Sequence, residues 1–123
     1  MKILIAYSHQ ILRYGLKLLL RDIWPKAIFL EAESFTDAVN QISNNNIGLV
    51  IFDLNLPGAE QLEELLQFII TETKLMILCD FDKAQPRLLH LQEKGALLIA
   101  LKKSSIQEIK QTFLDMKIMD KAC

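Results

Sequence analysis

The sequence predicts a single doubly wound α/β domain, and three observations lead there. Short apolar runs alternate with longer amphipathic segments five times along the chain. One run, Leu49-Val50-Ile51-Phe52, is continuous and β-rich, as a central strand of a parallel sheet buried on both faces requires. With 123 residues, 51% of them hydrophobic, the chain can bury one substantial core and is too short for two domains. Strands alternating with helices of this size need right-handed crossovers, which cover both faces of a parallel sheet.

The elements follow in order. Lys2 to Ala6 is the first apolar run. A helix follows near Gln10 to Ile23, with His9 as its cap; Pro25 stops it and Trp24 packs its end. Ala27 to Leu30 is the second run. Ser34 reads as an N-cap with Asp37 in the first turn, leading a helix whose apolar face is Ala38, Val39 and Ile42. The third run is Leu49 to Phe52. After Pro57-Gly58 a helix carries Leu62, Leu65, Leu66 and Ile69 on one side, and Leu75 to Leu78 is the fourth run. Leu88 to Lys94 reads as helix, with His90 an ordinary side chain on it, and Gly95 suits a left-handed C-cap. Leu97 to Leu101 is the fifth run, which a buried helical segment would also fit. Ser104 or Ser105 caps a final helix with Ile106, Ile109, Phe113 and Met116 on its core stripe; Lys110, Asp115 and Lys117 read as solvated charges on the same helix. No linker, low-complexity tract or internal repeat interrupts the pattern, so residues 1–117 read as one domain and 118–123 as a tail.

Charge narrows the function classes. Fourteen basic residues against 15 acidic ones give a formal net charge of -1. That balance argues against direct binding of nucleic acid or a membrane surface, which needs a basic surplus or stripe. No apolar run reaches the roughly 20 residues that cross a bilayer, and the opening Met-Lys-Ile-Leu-Ile-Ala is not a signal peptide. A cytoplasmic protein is expected. Cys79 and Cys123 match no zinc spacing and are not expected to pair in a reducing compartment.

In parallel sheets of this kind, sites form outside the carboxyl ends of the strands. Four places qualify: Tyr7-Ser8-His9, Asp53 to Gly58, Cys79-Asp80 and Lys102-Lys103. At these places the sequence resembles the receiver domain of response regulators, especially those of the NarL/LuxR type. The matching residues are Ile3-Leu4-Ile5-Ala6 with His9, Leu12-Arg13 and Gly15-Leu16, then Glu31-Ala32 with Ala38. Phe52-Asp53-Leu54-Asn55-Leu56-Pro57-Gly58 looks like the phosphorylation loop, and Lys94-Gly95-Ala96 with Leu101-Lys102 like the approach to and end of the last strand. The resemblance covers essentially the whole chain. It implies a flavodoxin-like (CheY-like) five-stranded parallel sheet in the order 2-1-3-4-5, with helices on both faces.

In the resembling family an aspartate on the third strand accepts a phosphoryl group from a sensor histidine kinase. Aspartate is a poor nucleophile toward an anionic phosphoryl group, so a magnesium ion neutralises and aligns it. Two carboxylates after the first strand, the phosphoacceptor and a backbone carbonyl hold that hard cation. The resemblance carries over unevenly. Asp53 stands at the phosphoacceptor position, Asn55 at the carbonyl position and Lys102 at the position of the lysine that pairs with the phosphate. The acidic pair is Tyr7 and Ser8, neither a good magnesium ligand in place of a carboxylate. The Ser/Thr switch position is Cys79, a weaker donor to phosphate. Asp80 follows it and would repel a phosphoryl group, and the aromatic switch position is Ile99.

The expectation is therefore an atypical receiver, a pseudo-receiver in which Asp53 is a structural carboxylate paired with Lys102. An opposite charge within about 4–6 Å would stabilise that carboxylate. Tyr7 would fill the metal pocket with its ring. No cofactor or metal is expected, and no catalytic role; magnesium enters only if the receiver is active after all. The chain is expected to act by protein contact, as a homodimer or with another regulator. Two alternatives stand beside it: an active phosphoacceptor receiver, and the regulatory half of a LuxR-type transcription regulator. A flavodoxin-like enzyme or nucleotide binder ranks last, because no glycine-rich phosphate loop follows any strand.

Overall fold

The structure, a computed structural model, describes residues 1–53, 56, 58, 61, 73–79, 93, 97–100 and 106–122. For residues 78, 79, 97–100, 106, 116 and 118–122 only the backbone is described. Strands β1 (Lys2–Ala6), β2 (Ile28–Ala32), β3 (Leu49–Asp53), β4 (Lys74–Cys79) and β5 (Leu97–Ala100) form one sheet in the order β2-β1-β3-β4-β5. Every pairing in it is parallel. The described helices are α1 (Gln10–Ile23), α2 (Phe35–Asn44) and α3 (Ile106–Ala122). The predicted doubly wound fold and its strand order are borne out, and the fifth run is a strand. Among the described residues no helix is long and apolar enough to cross a membrane.

Period-two alternation sorts the strand side chains onto two faces. Leu4, Ala6, Val50, Phe52, Leu75 and Ile77 pack with Phe35 and Ala38 of α2. Ile3, Ile5, Tyr7, Leu49, Ile51 and Met76 pack with Leu16, Leu20 and Ile23 of α1 and with Ile109 and Phe113 of α3. β3 lies between β1 and β4 and is buried along its whole length, which explains its uninterrupted apolar run. Fully buried residues of this kind contribute about 1.5–3 kcal/mol each. Phe35 meets Phe52 edge-on at 5.9 Å, and Trp24 meets Phe113 at 6.3 Å, so Trp24 does pack the end of α1.

β2 runs two residues further than its apolar content predicts. Its limits follow the register with β1, from Lys2↔Ile28 to Ala6↔Ala32, so Glu31 belongs to the strand despite its charge. The N-caps follow the sequence: Ser34 Oγ accepts from the Asp37 amide at 3.1 Å, and His9 Nδ1 accepts from the Leu12 amide at 3.4 Å. At the other end of α1, Lys117 Nζ donates to the Ile23 carbonyl. That side chain, expected as a solvated charge, thus serves an orphan carbonyl at the negative end of the helix dipole. The predicted helices around Leu62–Ile69 and Leu88–Lys94 (apart from Glu93), and the Ser104/Ser105 cap, lie outside the described residues.

Candidate functional site

The site grows from the register of β1 and β3. Ile5 pairs with Ile51 and Ala6 with Phe52; one residue further on, Tyr7 and Asp53 come level at the carboxyl ends of the two central strands. Alternation puts Tyr7 on the face of Ile3 and Ile5, and Asp53 on the face of Leu49 and Ile51. That is the same face, toward α1 and α3. Tyr7 is only 7% exposed and belongs to the apolar core there, while Asp53 is also buried. Burial raises the Tyr7 pKa above the ordinary tyrosine value, and the Asp53 charge raises it further. The phenol is thus held neutral beside a carboxylate. Ser8, the next residue, is exposed.

The backbone of Tyr7 is fixed from two sides. Its amide donates to the Ala32 carbonyl of β2 at 3.1 Å, and its carbonyl accepts from Arg13 Nη1 at 2.8 Å. Arg13 is a buried guanidinium on the core-facing row of α1 with Leu16, Leu20 and Ile23. Its Nε donates to Glu31 at 2.7 Å and its Nη2 to Glu33 at 3.1 Å. Burial by itself lowers the Arg13 pKa, but the hydrogen bonds and charges of Glu31 and Glu33 more than offset this, and the net shift is upward. One cation therefore ties α1 to the ends of β1 and β2 next to the candidate pocket. In the sequence Arg13 stands out only as one of the residues that carry the resemblance. The available signal was a charge on an apolar helix row, with two glutamates following the second apolar run.

Behind Asp53, the Leu56 amide donates to the Asp53 carbonyl at 3.0 Å and starts the turn out of β3. Gly58 in that loop has φ +87°, and a Cβ on it would lie 2.8 Å from the Phe35 Cβ. The loop therefore sits against α2 only because this residue is glycine. Across the sheet, Asp53 pairs with Leu78 and Leu78 with Ile99. Ile99 thus occupies the same cross-strand row as Asp53, and Cys79 lies one residue beyond it on β4. The side chains of Cys79 and Ile99, and all of Asn55, Asp80 and Lys102, lie outside the described residues.

The resemblance drawn from the sequence implies a divalent cation at this end of the sheet. Among the described residues the donor set does not suit one: no three of His, Cys, Asp or Glu come together. A neutral phenol stands beside Asp53, where a hard cation wants charged oxygens.

No protein-family profile matches the sequence, and no curated protein matches it. Solved structures do match. One is RcsB from Salmonella enterica serovar Typhimurium, bound to the promoter rprA in the presence of the phosphomimetic BeF3-. It has a TM-score of 0.71 at 18% identity, over 92% of this chain and 66% of that one. A response regulator receiver domain protein from Clostridium thermocellum matches with TM-score 0.68 and 22% identity, over 96% and 97% of the two chains. The chain has the receiver-domain fold. A response regulator in red light signalling of R. palustris agrees, with TM-score 0.70 and 14% identity over 94% and 90%. The chain spans about two thirds of the length of RcsB, and almost all of the other two.

Proposed function

We propose that the chain is an atypical receiver domain of a two-component or phosphorelay signalling protein. In this reading Asp53 is not phosphorylated by the usual magnesium-dependent route, and the domain acts in the cytoplasm by protein contact rather than by catalysis. One observation carries the reading: the first of the two positions where receivers hold their acidic pair is a buried tyrosine beside Asp53. Magnesium binds through carboxylates and demands regular oxygen coordination. Loss of both carboxylates should cost more than the roughly 10–100-fold attributed to outer-shell losses alone. Cys79, Asp80, Ile99 and a Lys102–Asp53 pair belong to the same proposal, as departures or partners that keep the pocket in one state.

Acetyl phosphate with magnesium, followed by mass spectrometry of the intact chain, tests this. No label that depends on Asp53 is expected. Stoichiometric label that disappears in Asp53→Ala would sink the proposal. In the Tyr7→Asp/Ser8→Asp double variant, magnesium affinity measured by calorimetry should rise at least tenfold, within the range that ligand shells control.

A second reading is favoured by the match to promoter-bound RcsB, of which this chain spans 66%. The domain would then be the regulatory portion of a LuxR-type transcription regulator, with DNA contact made by another part of that protein.

A further inference from the structure

The last backbone bond joining β1 to β2 runs from the Tyr7 amide to the Ala32 carbonyl. In a strand the N–H and C=O of one residue point to the same side, so the Tyr7 carbonyl faces β2 as well. The next rung would need the amide of Ser34, two residues beyond Ala32. β2 has ended by then, and Ser34 is the N-cap of α2. The Tyr7 carbonyl is thus a buried acceptor with no rung of the sheet to serve it, a costly state for a backbone group.

Arg13 takes that place from α1. Its Nη1 donates to the Tyr7 carbonyl in a buried bond of 2.8 Å. A guanidinium is a rigid planar fork, and its other two prongs fix the plane. Nε is held by Glu31 at 2.7 Å and Nη2 by Glu33 at 3.1 Å. Glu31 pairs with Ile5 in the ladder and so lies on the face toward α1, where the fork meets it. The segment in between is closed too. The Arg13 amide donates to the His9 carbonyl at 3.0 Å, and the Leu12 amide donates to His9 Nδ1. Residues 7–13 therefore form a ring shut by backbone bonds and by the guanidinium.

We propose that Arg13 is a positioning residue that latches the Tyr7 ring beside Asp53, closing this end of the sheet with a cation of the chain's own. Tyr7 lies one residue past the end of β1, so its own two backbone bonds keep it on the strand path. That path puts the ring on the face of Ile3 and Ile5, in the core and level with Asp53. Without the Arg13 bond the carbonyl needs water as its donor, and Tyr7 has to swing out of the core to reach it. The ring follows its backbone, and Asp53 loses its neighbour. The proposal rests on the reading of an atypical pocket, since it takes the Tyr7 ring as what fills the place of the first carboxylate.

Acetylation by N-acetylimidazole, located by peptide mass spectrometry, reads the latch. The chain has two tyrosines, and Tyr14, 62% exposed, is the internal standard. In the parent chain Tyr14 should react and Tyr7 should be protected. Arg13→Met should raise the Tyr7-to-Tyr14 ratio about tenfold or more, the shift in an opening equilibrium that loss of a charged hydrogen bond brings. The Glu31→Gln/Glu33→Gln double variant keeps Arg13 but slackens its fork, and should raise the ratio by a smaller factor. It also reads the latch if Arg13→Met does not fold. Leu75→Ala truncates a buried residue on the opposite face of the sheet. It lowers stability without touching the latch, so its ratio should stay at the parent value. No phosphodonor or metal enters this assay, so Asp53-dependent label from acetyl phosphate fails the atypical reading separately from the latch. A Tyr7 as reactive as Tyr14 in the parent, protection unchanged in the folded Arg13 or glutamate variants, or equal exposure in Leu75→Ala would each overturn the proposal.

Discussion

Replacing Arg13 with methionine tests how the candidate pocket is held. The side chain is buried and serves three acceptors: the Tyr7 carbonyl, Glu31 and Glu33. Methionine keeps most of the aliphatic bulk, so the loss is chiefly polar. The bond to the Tyr7 carbonyl is buried, at 2.8 Å, and a hydrogen bond to a charged group is worth about 1.5–3 kcal/mol. Glu31 is 42% exposed, and screening limits that pair to about 0.5–1 kcal/mol. Glu33 is more exposed still and adds nothing worth counting. The expected loss is about 2–4 kcal/mol, a large part of the roughly 5–15 kcal/mol that holds a domain together. Urea unfolding followed by circular dichroism should show the midpoint falling by about 1–2 M, given a slope of about 2 kcal/mol per molar, the middle of the usual range. Arg13→Lys should rescue little, because one ammonium cannot span three acceptors as a guanidinium fork does. Most of the loss should persist at 1 M salt, since screening acts on exposed pairs far more than on a buried bond. A loss under about 1 kcal/mol, or one that vanishes in high salt, would refute the reasoning.

Two further predictions concern the same end of the sheet. Gly58→Ala forces an L side chain into a left-handed backbone and drives its Cβ into Phe35. The two effects cost about 1–2 and 1–3 kcal/mol, so thermal unfolding should show a loss of about 2–5 kcal/mol. Tyr7 has a raised pKa in the folded chain, from burial first and Asp53 second. Its contribution to stability is therefore fully present below the unfolded value of about 10, and is lost as pH rises through the folded value. Alkaline denaturation should be measurably shallower in Tyr7→Phe than in the parent chain, and identical pH profiles would count against this placement of the ring.

The elements were legible in the sequence wherever a local pattern carried the signal. Gln10–Ile23 and Lys2–Ala6 fall where their periodicity and flanking residues put them, and Ser34 caps α2 as its position before Asp37 requires. The edge strand was less legible, because hydrogen bonding to β1 carries it through Glu31, past its apolar run. Tyr7 and Asp53 stood out as a mismatched pair once the resemblance was drawn. Arg13 did not, since a lone arginine on a helix looks the same whether it faces solvent or core. Lys117 likewise read as an ordinary surface charge until its contact with the α1 carboxyl end was visible.

By itself the sequence determined the doubly wound sheet, most of the element limits and the identity of the residues at the carboxyl ends of the strands. These depend on periodicity, turn chemistry and burial pattern, which act over a few residues. Only the tertiary structure decided that Tyr7 lies in the core level with Asp53, and that Arg13 joins residues 18 and 20 positions away. It also decided that α1 shows solvent an apolar stripe opposite its buried one. Such facts depend on strand register and on which helix face meets the sheet. Both are settled by contacts between segments distant in sequence, where no local pattern reaches.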